Sequence, residues 1–535
     1  MHYIIFLFVL PLFSSVAVAE SGTIQFGITR QKRSPDTADF FQSRHRNRLA
    51  RRRAEAPKTV QQILDNYNYI YYANVLIGTP GQEIQLIIDT GSSDTWVQTA
   101  QNVFCQENPD SCSTGIFDLQ KSSTYDPITD ETFSIQYSDY TYARGTYAHD
   151  SFGIGGATVK GLTMGVATEG NATDGFMGLG FPSNEALVYQ NGLKAEYPNL
   201  PQLLYKQKYI KSLTYSLWLN DLHASTGSVL FGGIDRARFE GDLAILPLAD
   251  YVEGATLQEF FITLDAVSIT EAKDRKHSLG KHLEEPALLD SGTSFMYIPE
   301  DVFQALGKTI KAEYNEYLDA YVQTCDITDS DATVDFQFKG VTIKIPFVEL
   351  VLPATTDDGD AMYFESGEPM CMIAISSNTG IGASILGDTF LRSAYVVYDL
   401  DNALVGLAQT VYNATQSDIV AISKGRNGIA KAASRPVSTK TKSKSQTSTT
   451  SKGHKQTSYK GSPNITSALT QTSTLAPMTT AASVIGNYTH FTSRMHPTSS
   501  SLLTVPTDTS AGTRVALSTL TLSIVVVIVT AVINF

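Results

Sequence analysis

Cysteine, tryptophan and histidine are scarce in this chain, and basic residues are scarce through its middle. Four cysteines and two tryptophans stand among 535 residues. None of Cys105, Cys112, Cys325 and Cys371 falls in a Cys-x-x-Cys pair, and no His-x-x-x-His spacing occurs. The common zinc ligand sets are therefore missing, and no metal site is expected. The nine histidines form no recognisable triad. Four cysteines allow three pairings. The local one, Cys105 with Cys112 and Cys325 with Cys371, puts one bridge in each half of the body and suits an oxidising compartment.

Long apolar runs are confined to the two ends. Residues 1–19 are almost wholly apolar and close on Ala17-Val18-Ala19, the small-residue pattern of a secretory signal peptide. Residues 20–53 are polar, arginine-rich and end in Arg51-Arg52-Arg53. In a secretory lumen this cluster reads as the processing site of a propeptide, not as a nucleic-acid patch. At the other end, Ser510-Ala511-Gly512 precede a largely apolar stretch from Val515 to Phe535 with no basic residue after it. A stop-transfer helix lacks its positive flank there. The pattern is that of a GPI-anchor signal, residues 511–535, removed when the anchor is attached.

Between residues 54 and 417, 48 Asp and Glu face 19 Lys and Arg. So acidic a body repels itself at neutral pH and less so in acid, and it draws in cationic peptides. From Tyr67 to about Val411, short β-branched and aromatic runs alternate with turns, as in Thr263–Ile269 and Tyr395–Asp399. That texture predicts an all-β body. Helices are expected at Leu200–Gln207 and Pro299–Ala312, the second opened by a proline and two acids. The length calls for two lobes, placed at residues 54–243 and 244–417. Residues 418–510 turn rich in Ser, Thr and Lys and poor in large apolar side chains. Such a segment reads as an extended, O-glycosylated stalk. Sequons stand at Asn171, Asn413, Asn464 and Asn487.

One phrase occurs twice. Leu86-Ile87-Ile88-Asp89-Thr90-Gly91-Ser92 is echoed by Ala287-Leu288-Leu289-Asp290-Ser291-Gly292-Thr293. An apolar strand ending in a carboxylate needs a reason, because a buried unpaired charge is costly. Two such ends suggest half-sites that meet face to face, where two carboxylates share one proton and activate a water. Gly91 and Gly292 are expected to let the chain turn sharply at each half-site.

Further phrases surround these two. They are Ile77-Gly78-Thr79-Pro80, Phe133-Ser134-Ile135-Gln136-Tyr137, Asp174–Gly180, Phe231–Asp235 and Ile385–Arg392, in chain order with Trp96 after the first aspartate. The chain from about Tyr67 to Thr415 thereby resembles the pepsin-like aspartic endopeptidases. The resemblance implies a bilobal, pseudo-twofold pepsin-like fold with a few short helices. It also implies Asp89 and Asp290 as the catalytic pair, acting on peptide or protein substrates without cofactor, metal or acyl-enzyme. Thr90 and Ser291 would cross-link the two active loops, and Ser92 and Thr293 would steady the outer carboxylate oxygens. Tyr137 would be the flap tyrosine and Trp96 its hydrogen-bonding partner. The phrases at Gly178-Leu179-Gly180 and Gly387-Asp388 would pack beneath the loops. Ser138-Asp139-Tyr140 departs from the family pattern, in which glycine is common, and an acidic flap tip would favour basic side chains.

Leader, basic-ended propeptide, hydroxyl-rich stalk and anchor-like tail together resemble fungal cell-surface members, the yapsin-type proteases. The expectation is a monomer carried through the secretory pathway to the plasma membrane or wall, matured by a processing protease and held by a GPI lipid. Two other classes compete. A silent peptide-binding wall glycoprotein would be expected to have lost an aspartate or the flap tyrosine. A glycan hydrolase also uses two carboxylates, but has no need of two near-identical Asp-x-Gly turns.

Overall fold

The computed structural model describes residues 58–66, 70–249, 258–356 and 360–434. The expected leader, propeptide and anchor signal, most of the stalk, and Asn464 and Asn487 lie outside them.

Short alternating runs become strands, as their pattern predicts. Tyr71–Ile77 buries Tyr71, Ala73, Val75 and Ile77 and leaves Leu76 exposed, the period of two that a half-covered strand requires. Thirteen strands form the largest sheet. Within it Ala394–Asp399 pairs antiparallel with Thr214–Trp218, Tyr398 opposite Tyr215. Strands from both halves of the chain thus share one sheet. A seven-stranded sheet holds Phe261–Glu271 and Arg275–Leu289, and a four-stranded sheet holds Ala320–Thr324 and Met370–Ile373.

The internal repeat of the sequence is a repeat of topology. Gln82–Asp89 runs parallel to Gly175–Gly178, with Asp89 level with Gly178, and Thr95–Gln98 pairs antiparallel with that same strand. In the second half the end of Arg275–Leu289 runs parallel to Ser384–Leu386, and Met296–Ile298 pairs antiparallel with it. Each aspartate therefore stands where a buried strand ends beside a glycine-terminated one.

Both expected helices form, at Leu200–Lys206 and Glu300–Ile310. In the second, Pro299 is the N-cap, Glu300 and Asp301 occupy the first turn, and Val302, Phe303 and Leu306 face the core. Acidic residues there complement the helix dipole. Disulfides join Cys105 to Cys112 and Cys325 to Cys371, the local pairing of the three possible. Among the described residues no helix is long and apolar enough to cross a membrane.

The expected limit of the body at residue 417 needs correction. Asp418 receives two hydrogen bonds from the Arg236 guanidinium, at 3.0 and 3.1 Å. Ile419–Ala421 pairs with Gly233–Asp235, and Gly428–Ala433 forms a helix. Ile422, Ile429 and Ala432 are buried among Trp218, Ile234, Phe239 and Tyr395. Composition hid this strap because its apolar residues come in two short groups within a polar region. Residues 418–434 belong to the folded body.

Burying two isoleucines contributes about 3–6 kcal/mol. Deleting residues 418–434 from the otherwise intact chain is expected to lower Tm by roughly 5 °C or more. Calorimetry showing no change would mean that the strap only rests on the surface.

Candidate active site

The two aspartate loops meet across the centre of the molecule, and their hydroxyls tie them together. The Thr90 amide donates to Ser291 Oγ at 3.2 Å, and the Ser291 amide donates to Thr90 Oγ1 at 2.9 Å. Each hydroxyl then passes its own proton across the interface. Thr90 Oγ1 donates to the Leu289 carbonyl at 2.8 Å, and Ser291 Oγ donates to the Ile88 carbonyl at 3.0 Å. The set is reciprocal and buried. Serine in place of threonine loses nothing here, since only the hydroxyl and the amide take part.

The cross-link presents the carboxyls of Asp89 and Asp290 to each other. Asp89 Oδ1 accepts from the amides of Gly91 and Ser92 at 2.8 and 3.2 Å, and Oδ2 accepts from Ser92 Oγ. Asp290 repeats the scheme, Oδ1 accepting from the Gly292 amide at 2.9 Å and Oδ2 from Thr293 Oγ1 at 2.5 Å. Burial, and then the charge of Asp290, raise the Asp89 carboxyl above the usual carboxylate range. Two like charges this close cannot both ionise cheaply, so the pair retains a proton to higher pH than a solvated aspartate does. That proton is a property of the pair.

Gly91 and Gly292 are needed for a reason other than the expected one. Neither has a positive φ, so the turn itself does not demand glycine. A Cβ on Gly91 would lie 2.6 Å from Asp290 Oδ1, and one on Gly292 would lie 2.5 Å from Asp89 Oδ1. Each glycine makes room for the other half's carboxylate.

Beneath the loops, the glycine-ended phrases close the floor. The Leu179 amide donates to the Asp89 carbonyl at 2.7 Å, and the Asp388 amide donates to the Thr293 carbonyl at 2.8 Å. Asp388 is buried, and burial holds its carboxyl far above the ordinary range, against the lowering effect of Arg392. Arg392, fully buried, donates from Nε to Glu349 Oε2 at 2.8 Å and from Nη2 to the Glu349 carbonyl at 2.6 Å.

Over the loops stands the hairpin of Asp126–Gln136 and Tyr142–Ile154. Trp96 Nε1 donates to Tyr137 Oη at 2.8 Å. The Tyr137 ring stacks on Phe176 at 4.5 Å, and Phe176 stacks on Trp96 at 5.9 Å. Tyr137 is thus held by a hydrogen bond and an aromatic face, and Phe176 lies on the strand paired with the one that ends in Asp89. The connection Tyr137–Thr141 closes through the Tyr137 amide on the Thr141 carbonyl at 2.8 Å. Tyr140 adopts φ 65° there, a position usually left to glycine. Asp139 Oδ1 accepts from the Thr141 amide and hydroxyl, at 2.9 and 2.7 Å, so one of its oxygens builds the turn.

Sequence reading missed several buried acids, because contacts remote in sequence create them. Asp94 accepts from Tyr147 Oη at 2.9 Å, Tyr197 Oη at 2.6 Å and the Ala186 amide at 2.7 Å. Glu185 beside it is fully buried, and burial pushes its carboxyl up to about 10. Glu259 is pushed up to about 7, by burial and then by the Asp290 charge. The available signal was an acid inside an apolar stretch, and Gln258-Glu259-Phe260-Phe261 carries it. Of the sequons, Asn171 and Asn413 are exposed. Asn171 Oδ1 accepts from the Tyr142 amide at 2.8 Å, whereas Asn413 Nδ2 donates to Asp221.

The clash across the pair can be measured as a coupling. Gly91→Ala is expected to lower unfolding free energy by about 1–3 kcal/mol through overpacking, and Asp290→Ala in the same chain to recover most of that loss. Denaturant titration of the two single variants and the double variant gives the coupling. Strictly additive effects would mean that the two groups do not meet.

Known proteins resemble this chain along most of its length. Residues 70–410 match the family described as eukaryotic aspartyl protease. The chain is 38% identical over 385 residues to the probable aspartic-type endopeptidase opsB of Aspergillus fumigatus, covering 72% of this chain and 77% of that protein. It is 35% identical over 401 residues to the acid protease of Saccharomycopsis fibuligera, covering 73% of this chain and 93% of that protein. It is 31% identical over 368 residues to the aspartic proteinase yapsin-3 of Saccharomyces cerevisiae, covering 67% and 70%. With residues 70–410 matching that family, and with fungal relatives of 31–38% identity covering two thirds or more of it, the chain belongs to the eukaryotic aspartyl protease family.

Proposed function

We propose that this aspartic endopeptidase hydrolyses peptide bonds with Asp89 and Asp290 as a one-proton pair at acid pH. The reciprocal cross-link of Thr90 and Ser291, which sets two buried carboxyls against each other, carries the reading. The ionised member takes a proton from a water held between the carboxyls as the water oxygen bonds to the peptide carbonyl carbon. The neutral member gives its proton to the carbonyl oxygen. A tetrahedral diol results. Its collapse breaks the C–N bond, the leaving nitrogen takes a proton, and the pair regains its single proton. Ser92 and Thr293 hold the outer oxygens, so the carboxyls do not reorient during the reaction. Tyr137 closes over the substrate and Trp96 keeps its hydroxyl aimed.

The specificity proposal is a preference for sites near basic residues. It is supported by the acidic body and by Asp139 at the hairpin tip, whose second oxygen is not used by the turn. The location proposal is the cell surface, at the plasma membrane by a GPI anchor or in the wall. It is supported by the apolar ends, the basic-ended segment before residue 54, the hydroxyl-rich segment from 435 to 510 and the sequons. In this reading the protein matures by cleavage beside Arg51–Arg53, carries N-glycans at exposed sequons, and acts as a monomer.

Cleavage of a mixed peptide library from pH 3 to pH 8 tests the mechanism. Raising the carboxyl's affinity for its proton extends the active form upward from strong acid, and activity falls once the pair loses that proton. Asp89→Asn and Asp290→Asn are each expected to lose at least about 100-fold in kcat/KM, and Asp139→Asn to lose selectivity for basic residues. A wild-type enzyme fully active at pH 8 and inert at pH 4 would overturn the mechanism. Release from intact cells by a phosphatidylinositol-specific phospholipase C checks the anchor, and retention after treatment would exclude a simple lipid link.

A further inference from the structure

Glu259 sits at a position that the mechanism does not use. The strand Phe261–Glu271 pairs antiparallel with the strand that leads to Asp290, with Phe261 opposite Leu288. The Leu289 amide donates to the Phe260 carbonyl at 3.2 Å, which carries the register one residue further. Glu259 and Asp290 each lie one residue beyond that bond, where the strand pair opens. The backbone bond between Phe260 and Leu289 thus brings Glu259 to the end of the strand pair from which Asp290 emerges. The Asp290 charge acts on the Glu259 carboxyl, and the Glu259 charge acts on Tyr189.

The surroundings of Glu259 suit one kind of side chain. Two residues along the chain from Glu259, Phe261 joins Leu288 and Ala383 in a small apolar cluster separate from the main core. Tyr189 is 44% exposed, and its hydroxyl donates to Asn184 Oδ1 at 2.7 Å, which fixes its ring. Gln258, the neighbour of Glu259, donates from Nε2 to the Ser183 carbonyl at 2.8 Å and anchors the segment against the other half of the molecule. Glu259 itself is partly buried, and among the described residues it has no hydrogen-bond or ion-pair partner. A carboxylate lacking a counter-ion, on a segment anchored to Ser183 next to the Asn184 that holds Tyr189 and continuing into apolar Phe260 and Phe261, matches a long aliphatic stem that ends in a cation.

The geometry points to Glu259 as a specificity-determining residue that seats a lysine or arginine side chain of the substrate beside the scissile bond, on the Asp290 side. This subsite is distinct from the one proposed for Asp139, which lies on the hairpin of the Asp89 half. Two acidic subsites flanking one bond would select peptides with separated or paired basic residues. The inference rests on the reading of Asp89 and Asp290 as the cleaving pair.

Burial and the Asp290 charge hold the Glu259 carboxyl neutral in strong acid. An arriving ammonium or guanidinium supplies the missing counter-charge and lets it ionise. Selectivity for the cation therefore grows as pH rises from 4 towards 7. The titratable groups coupled to Glu259 are Asp290 and Tyr189; only Asp290 belongs to the reacting pair, whose loss of its shared proton affects lysine and norleucine substrates alike.

The test uses matched peptides with lysine or norleucine at each position around the cleavage site, the mature enzyme, and its Glu259→Gln and Asp139→Asn variants. Glu259→Gln is expected to lower the lysine-to-norleucine ratio of kcat/KM about tenfold at one position only, on the far side of the bond from the position affected by Asp139→Asn. The wild-type ratio at that position is expected to rise with pH and to be flat in Glu259→Gln. An unchanged ratio, or a loss shared equally by both peptides, overturns the assignment and leaves Glu259 as a support for the loop. Calorimetric binding of the same peptides to Asp89→Asn, with and without Glu259→Gln, separates the two readings. If the wild type cleaves nothing, the endopeptidase mechanism fails. A tenfold weaker binding of the lysine peptide on loss of Glu259 would still uphold the subsite, and equal binding would overturn it.

Discussion

Everything around the site answers one difficulty, that two carboxyls must be kept together where water cannot separate their charges. Left to themselves, Asp89 and Asp290 would repel and the halves would part. The exchange of amide and hydroxyl bonds between Thr90 and Ser291 opposes that repulsion with four buried hydrogen bonds. Breaking one leaves a buried donor or acceptor unmet, which costs more than the bond itself gains. Steric demand acts from the other direction. Because the space for each carboxyl is the missing side chain of the opposite glycine, the pair can be neither spread by a larger residue nor rearranged.

The central sheet makes that local device possible. With strands of both halves paired side by side, Tyr398 opposite Tyr215 and their rings stacked at 4.7 Å, the relative placement of the loops is set by backbone hydrogen bonds over a long edge. The strap of residues 418–434 adds to the same region. Trp218 on the central sheet packs with Ile422 and Ile429, and the Arg238 guanidinium lies 3.8 Å over its ring. Catalytic geometry at the level of an ångström depends on this scaffold, since small misplacements of reacting groups are costly in rate.

Much of this was legible in the residues because the decisive features are local and repeated. Two Asp-x-Gly phrases, the Tyr137 hairpin, Trp96 and the two helices each announce themselves within a few positions. Their partners follow once the halves are taken as equivalent. What was not legible depends on distance. Nothing within a few residues of Gly91 shows that Asp290 is what a side chain there would strike. Asp94, Glu185 and Glu259 are unremarkable acids until Tyr147, Tyr197 and Asp290 arrive from elsewhere in the chain. The strap at 418–434 escaped for a different reason. Four apolar residues at Ile419–Ile422 are too few to stand out in a hydroxyl-rich region, yet a paired strand edge and a waiting apolar surface suffice to fold them.

The acidic balance of the body and the chemistry of the site share a sign. Asp89, Asp94, Glu185, Glu259 and Asp388 all have carboxyls raised in the folded chain, each with burial as the largest cause. A carboxyl raised on folding binds its proton more tightly in the native state. Its contribution to stability is fully present below the unfolded value and is lost as pH rises through the folded one. The 29 surplus negative charges between residues 54 and 417 add self-repulsion over the same range. Rising pH therefore removes the shared proton that hydrolysis requires and loosens the fold that holds the pair. The buried carboxyls are thus least costly to the fold in acid, where they are uncharged.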